Sequence, residues 1–507
     1  VNTADGTFLQ DHAPDPAAAA PEPVSLNPYL VWDILSDSPQ AYQAPTAQAA
    51  LEGTHTIDGQ EYKTVFTLVK ENHAEYSIDW AAETTGIDAS RIADLAMQYA
   101  LKGPSCLTYG MGGVDKFYNA ETLGHAMAVA AGLTGNIGKP GGSMGLFSGY
   151  ANEWYATLGG WPLPEEMNPS PAIDNFVDLP YQENKVHAIL TFGDKLFQWF
   201  ANMNEARKWW TSLDFILYCD IYHSESADWA DIILPACTKF EELEEIGGLR
   251  QAFGYYRLQE KVLDPLFDSK PDFWIEREIA KLWHLEDHLP ATPADYVRAQ
   301  LTNPTESFLE GVTLEKIRAN QNVLPFPNCE GVRVAFEDHV FSTGSGRLEV
   351  YYPSLLSFGR QLPKWEPANE AYAGNELKNT YPIQLHGSRP KYYIHNQFHD
   401  AKWIQQYKEA CVEMNPADLE TRGLMPGDIV EIFNDRGTCS TKVVANSSIR
   451  PGSASIVEGT WSKFMDSGNM QALTNSARNP VGYATWMGPV TPFNDTLCEV
   501  RKAGTQS

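Results

Sequence analysis

Val186-His187-Ala188-Ile189-Leu190-Thr191-Phe192 runs straight into Gly193-Asp194, and the same figure returns twice before residue 236. Asp214-Phe215-Ile216-Leu217-Tyr218-Cys219 ends at Asp220, and Asp231-Ile232-Ile233-Leu234 ends at Pro235. Short apolar runs of this kind read as strands covered on both faces, and the stretch from Gln198 to Trp210 between the first two reads as a helix. Each strand delivers a polar or turn residue at its carboxyl end, which is the edge where open parallel sheets bind ligands. The pattern predicts an α/β unit.

A similar unit lies toward the amino terminus. Asp88 reads as the N-cap of a helix with Ile92, Leu95, Ala96 and Tyr99 at helical spacing, stopped by Gly103-Pro104. A strand from Ser105 to Tyr109 then opens into Gly110-Met111-Gly112-Gly113, and a helix from about Glu121 to Leu133 ends in the glycine loop 134–142. Residues 3–9 read as a loop entering a strand, and the Ala- and Pro-rich run 13–24 as a linker. Residues 251–375 are mixed, with one amphipathic helix around Phe273 to Trp283. From Tyr381 onward, short alternating runs dominate: Ile383 to Leu385, Asp428 to Phe433, Ser440 to Ala445, Ser453 to Val457 and Leu497 to Val500. Separated by Gly, Pro and Asn turns, they predict a small all-β barrel. The expected division is 1–149, 150–250, 251–375 and 376–507, with α/β domains first and the barrel last.

Composition narrows the function. The 507 residues carry 37 Lys plus Arg against 65 Asp plus Glu, a formal charge of −28. Such a field disfavours nucleic acid and anionic membrane surfaces as partners. No apolar run is long enough to span a bilayer, and no targeting signal is visible. The seven cysteines are scattered with no C-x-x-C pair, which argues against zinc, an iron–sulfur cluster within this chain or a disulfide framework. There is no Gly-x-Ser-x-Gly elbow, His-Glu-x-x-His, phosphate-loop lysine or Gly-x-Gly-x-x-Gly, so a hydrolase or transferase reading lacks its nucleophile and its phosphate loop.

Several residues admit two readings. The Asp194 carboxylate either forks the N1 and N2 groups of a guanine or caps the helix after it. Asp220 has the same two readings, and Asp231 reads as structural. Gly110, Gly112 and Gly113 either let a backbone approach a ligand or make a tight turn. His395 reads as a hydrogen-bonded histidine, and Arg389 either forks a phosphate or pairs with an acidic side chain. The aromatics Tyr150, Trp154, Tyr155 and Trp161 either line a substrate funnel or pack a core.

Taken together, these pieces resemble the molybdopterin oxidoreductases of the dimethyl sulfoxide reductase and formate dehydrogenase type. The resemblance rests on Tyr109-Gly110-Met111-Gly112-Gly113, on Leu133-Thr134-Gly135-Asn136-Ile137-Gly138-Lys139-Pro140-Gly141-Gly142, and on Phe192-Gly193-Asp194. It continues through Cys219-Asp220, Ala230 to Pro235 with Glu241, and Gly346 to Tyr351. Met414 to Asp418, Gly423, Gly427-Asp428 and Asn434 to Gly437 complete it, in the family's order along nearly the whole chain.

The resemblance implies Rossmann-like parallel-sheet domains followed by a six-stranded barrel of the double-psi type. It implies a molybdenum bis(molybdopterin guanine dinucleotide) cofactor, with tungsten as the alternative metal, and two-electron redox or hydroxyl or oxygen-atom transfer on a small molecule. Met111 and Asp115 would lie by the metal, beside Tyr109, Gly110 and Gly112. Gly193, Asp194, Gln198, Cys219, Asp220 and Ala236 would line a guanine pocket. Gly387, Ser388, Arg389, His395 and Gln397, with Trp461 and Asn494, would cradle pterin and pyrophosphate. The chain resembles the family downstream of its metal ligand. The ligand and a [4Fe–4S] cluster are therefore expected on a preceding part, no metal ligand is assigned here, and such a part alone is expected to be inactive. An iron–sulfur electron-transfer subunit is the expected partner, and the cell envelope is favoured over the cytoplasm. The alternative is a non-catalytic scaffold like the family's relative in respiratory complex I, or an isolated cofactor-binding module.

Overall fold

The computed structural model describes residues 1–10, 29–42, 44–108, 113–145, 186–193, 200–243, 255–301, 311–325, 334–341, 343–406, 410–482 and 491–504. Tyr109, Gly110, Met111, Gly112, Asp194, Gln198, the Ala- and Pro-rich run and the aromatic stretch 150–161 lie outside the described residues.

Two hairpins open the chain, β1 (Leu30–Asp33) with β2 (Ser38–Ala41) and β3 (Thr54–Ile57) with β4 (Gln60–Lys63). Three helices follow: α1 (Val65–His73), α2 (Ile78–Thr85) and α3 (Ala89–Leu101). Thr64 and Ser77 cap the first two through their hydroxyls, and Gly86 ends α2 in the left-handed region at φ 69°. Asp88 occupies the predicted N-cap position of α3, yet its side chain makes no capping bond. β5 (Cys106–Thr108) pairs in parallel with β6 (Ser143–Gly145), with α4 (Ala120–Leu133) between them in sequence.

The predicted three-strand unit is present. β7 (Ala188–Phe192), β8 (Phe215–Asp220) and β9 (Ile232–Pro235) form an all-parallel sheet in that order. The helix after β7, α5 (Met203–Trp210), starts later than its pattern suggested. Asn202 holds φ 52° just before it, a left-handed residue that no continuous helix accommodates. Phe200, Met203, Ala206 and Trp210 bury the α5 face against Ile216 of β8. β10 (Tyr255–Arg257) pairs with β11 (Val323–Pro325), and α6 (Asp272–Leu282) seats Ile275 against Leu217 and Cys219.

The carboxyl-terminal region closes into a six-stranded barrel. Its strands are β12 (Ile383–Ser388), β13 (Cys411–Met414), β14 (Ile429–Phe433), β15 (Thr438–Ala445), β16 (Ser453–Val457) and β18 (Thr496–Lys502), while the short β17 (Ser467–Gly468) flanks β15. Around the barrel the order is β13, β16, β12, β18, β14, β15, with β15 returning to β13 in parallel. β12 and β16 are also parallel, and the other pairs are antiparallel. Alternation sets the interior: Val430 and Ile432 on β14 and Cys439 and Val443 on β15 meet Ile383, Leu385, Val412 and Ile456. Among the described residues no helix is long and apolar enough to cross a membrane.

Candidate functional site

At the carboxyl edge of the β7–β8–β9 sheet, Gly193 turns the chain at φ 62° and donates its N–H to the Cys219 carbonyl at 2.7 Å. The Cys219 thiol points into the core, fully buried, and donates to Asp272 Oδ1 at 3.8 Å. Burial, with the Asp272 and Asp220 carboxylates beside it, pushes that thiol up to about 12, so it is a protonated core group. Asp220 Oδ1 accepts the N–H groups of Ile221 and Tyr222 at 2.6 and 3.2 Å, and Oδ2 accepts the Tyr218 hydroxyl at 2.5 Å. Asp220 thus folds the turn after β8, and no helix begins there for it to cap. Asp231 likewise accepts Ile216 N–H at 2.7 Å, and Ala236 N–H reaches the Asp220 carbonyl at 3.1 Å.

Three polar atoms, one on β7 and two on the connections that follow β7 and β8, have no partner among the described residues. Thr191 Oγ1, Asn202 Oδ1 and Ser226 Oγ are buried and unpaired there. Buried hydroxyls and amides are nearly always satisfied, so each of these atoms has room for a further polar partner. The connections also touch the barrel. Asn202 N–H reaches Thr474 Oγ1 at 3.2 Å, and Glu225 accepts Ser462 Oγ and N at 2.5 and 3.1 Å. A cavity of about 420 Å³ opens there between Arg207, His223, Trp229, Trp461 and Lys463.

The barrel mouth gathers most of the remaining candidates. Gly387 and Ser388 end β12, and the Ser388 carbonyl accepts Glu458 N–H at 2.9 Å. Arg389 Nη1 contacts His395 Nδ1 at 2.7 Å and Glu458 Oε1 at 2.6 Å. His395 holds φ 51°, and Gly459 presses against its backbone so closely that a Cβ there would come within 2.7 Å of the His395 carbonyl. Trp461 is buried and donates Nε1–H to the Asn396 carbonyl at 3.1 Å, while Gln397 is exposed. Asn494 links the barrel to the segment at Gly113. Its Oδ1 accepts Gly387 N–H at 3.1 Å, and its Nδ2 donates to the Gly113 carbonyl at 3.0 Å. Asp115, two residues on, accepts Gly113 N–H at 2.9 Å and pairs with Lys116 at 3.3 Å.

The structure thus brings Gly387, Asn494 and the end of the glycine loop together, and sets Arg389 and His395 alongside Glu458. Gly193, Cys219, Asp220 and Ala236 form a separate group at the sheet edge, tied to the barrel beside Trp461 through Glu225. Sequence reasoning passed over Glu225, Asn479 and the Glu370–Arg436 pair. The polar run of Asn469, Asn475 and Asn479, set among barrel strands, is the signal that would have pointed to a buried polar junction there. Among the described residues no group of three or more His, Cys, Asp or Glu side chains gathers to hold a metal.

Two half-buried histidines give the fold a pH dependence. Burial holds both His386 on β12 and His125 on α4 below the usual histidine range. The unfolded chain takes up those protons at about 6.5, whereas the folded chain resists them. Stability should therefore fall as pH drops below about 6.5 and hold above it. Melting temperatures at about pH 7.5 and pH 5.5 check this, and His386→Gln should narrow the difference. An unchanged difference would remove His386 as a cause.

Residues 42–282 match the family model described as Molybdopterin oxidoreductase, and residues 383–485 match that of the Molydopterin dinucleotide binding domain. The chain is 27% identical over 533 residues to a Halobacterium salinarum protein provisionally named as the catalytic subunit of a dimethyl sulfoxide reductase, covering 100% of this chain and 59% of that one. It is 25% identical to dimethyl sulfoxide reductase DmsA of Escherichia coli (strain K12), with 84% of this chain and 56% of the relative covered. To the dimethyl sulfoxide/trimethylamine N-oxide reductase of Cereibacter sphaeroides it is 28% identical, with 76% and 53% covered. The chain spans a little over half the length of these curated relatives. In fold it is similar to the acetylene hydratase from Pelobacter acetylenicus, with a TM-score of 0.66 at 17% identity, covering 86% of this chain and 66% of that one.

Proposed function

This chain belongs to the molybdopterin oxidoreductase family, and we propose that it is part of a catalytic subunit that works with a molybdenum bis(molybdopterin guanine dinucleotide). When bound, that group supplies two-electron redox or oxygen-atom transfer to a small molecule, with dimethyl sulfoxide and trimethylamine N-oxide the first substrates to try. The buried atoms Thr191 Oγ1 on β7 and Asn202 Oδ1 and Ser226 Oγ on the connections beyond it carry this reading, because a polar nucleotide would satisfy them and no described residue does. Gly387 and Ser388 would lie along the pterin. Arg389, held by Glu458, would face pyrophosphate charge, a local cation in a chain of net −28. An iron–sulfur subunit in the cell envelope is the proposed electron partner, and the barrel, residues 376–507, is the proposed dinucleotide-binding domain.

Produced from its complete reading frame in a host that makes the cofactor, the protein should carry molybdenum and release about two guanine nucleotides per metal on acid hydrolysis. It should also oxidise a reduced viologen with dimethyl sulfoxide or the N-oxide. Cytosine nucleotide, or metal-free protein from a host that loads a control enzyme, overturns the proposal. Asp194 tests the guanine contact itself. Asp194→Ala removes two charge-assisted bonds, and Asp194→Asn turns a donor toward a donor, so both should weaken retention by roughly tenfold to a few hundredfold. Full occupancy with a wild-type melting temperature in Asp194→Asn would leave Asp194 as a helix cap.

A further inference from the structure

We propose that Asn494 is a positioning residue: it fixes the spacing between the turn at 113–116 and the barrel strand end at Gly387. The inference rests on the function proposed above, since those two segments would then flank the pterins.

The geometry is a two-ended bridge. Asn494 Oδ1 accepts from Gly387 N–H at 3.1 Å, so this backbone donor is already engaged by the protein. Asn494 Nδ2 donates to the Gly113 carbonyl at 3.0 Å, and that carbonyl also closes the turn by accepting Lys116 N–H at 3.0 Å. The backbone joins in, because Asn494 N–H reaches the Lys116 carbonyl at 3.0 Å, and Gln384 Nε2 holds the Asn494 carbonyl at 3.1 Å. Asp115 Oδ1 then fixes Gly113 from the loop's own side. Asn494 is 6% exposed, so these bonds are shielded from water and its amide has one orientation that satisfies both ends. No single-atom donor or acceptor does the same: the bridge needs one of each, which is the chemistry of an amide.

A second staple limits the consequence of losing it. Asn479 Nδ2 donates to the Tyr118 carbonyl at 2.7 Å and contacts Glu121, so the chain beyond Gly113 stays attached to the barrel. Removing Asn494 should loosen residues 113–116 locally without releasing α4. The bridge tunes position; it does not hold the fold together.

The test pairs Asn494→Asp with Asn494→Ala. Asp keeps an acceptor for Gly387 and sets an oxygen against the Gly113 carbonyl, whereas Ala loses both ends. Peptide-resolved hydrogen exchange should speed up by about tenfold to a hundredfold over 113–116 in both variants, and at Gly387 in Ala only, with 118–124 unchanged. Asn446→Ala, which loses a bond to Glu413 elsewhere on the barrel, serves as the stability control and should leave 113–116 unaltered. In molybdenum-loaded protein, Asn494→Asp should shift the Mo(V) paramagnetic resonance signal, a change the Asn446→Ala control does not produce. Unchanged exchange at 113–116 in both variants overturns the bridge even where molybdenum is present. Wild-type protein without molybdenum sinks the proposed function, while the exchange result still decides the bridge.

Discussion

Replacing Arg436 by Met should destabilise the chain by about 3–5 kcal/mol, read as a lowered urea midpoint at unchanged slope. The guanidinium grips Glu370 through both arms, Nη1 to Oε2 at 2.8 Å and Nη2 to Oε1 at 2.9 Å, while Nε donates to the Leu473 carbonyl at 2.7 Å. Glu370 is 6% exposed, and its carboxylate also accepts Leu497 N–H at 2.6 Å. Loss of the arginine therefore strands a buried carboxylate with a single backbone donor and no countercharge, which costs far more than the intact pair contributes. Replacing Glu370 by Met as well removes the stranded charge, so the double variant should be no less stable than Arg436→Met alone. A double variant that loses the sum of the two single losses would show that the residues act independently.

Asp495→Ala should cost a similar amount, about 3–5 kcal/mol. Its carboxylate is fully buried and accepts three backbone N–H groups in a row: Asn369 at 2.7 Å, Glu370 at 2.9 Å and Ala371 at 2.7 Å. These bonds pin the strap before the barrel to its last strand, and without them three donors face a cavity that a methyl cannot satisfy. Asp495→Asn keeps the shape but swaps an acceptor for a donor, so it should recover only part of the loss. Calorimetric melting of both variants checks the order, and an Asn variant less stable than Ala would contradict it.

The strands of the three-strand sheet were legible because each is an apolar run closed by a turn residue, and the barrel strands β14 and β15 because they alternate. β13 escaped notice. It has four residues, Cys411 to Met414, and three of them are buried, so no alternation announces it. The hairpins β1–β2 and β3–β4 escaped for another reason: β2, β3 and β4 carry few large apolar residues, and Leu30 to Trp32 of β1 form too short a run to mark a strand alone. For the site, resemblance supplied the positions but not their roles. Asn494 bonds to a carbonyl 381 positions away, and Glu225 to a serine 237 away; no local pattern encodes either. Cys219 and Asp220 sit where the motif puts them, yet the structure turns one into the core and the other into its own turn.

The barrel's interleaved strand order has a consequence for how the chain is made. Among the described barrel strands, only β14 and β15 pair with an immediate neighbour along the chain; β12, the first of them to leave the ribosome, has its partners in β16 and β18, with Ile383 opposite Cys498. Until β18 emerges, β12 and β14 each keep a bare edge of unpaired N–H and C=O groups. At about 5–20 residues per second, that wait lasts several seconds, during which the interior face of the strands is open to association with other chains. Slowing synthesis between β12 and β18 should therefore raise the dependence of soluble yield on holding chaperones, whereas a pause placed before residue 376 should have no such effect.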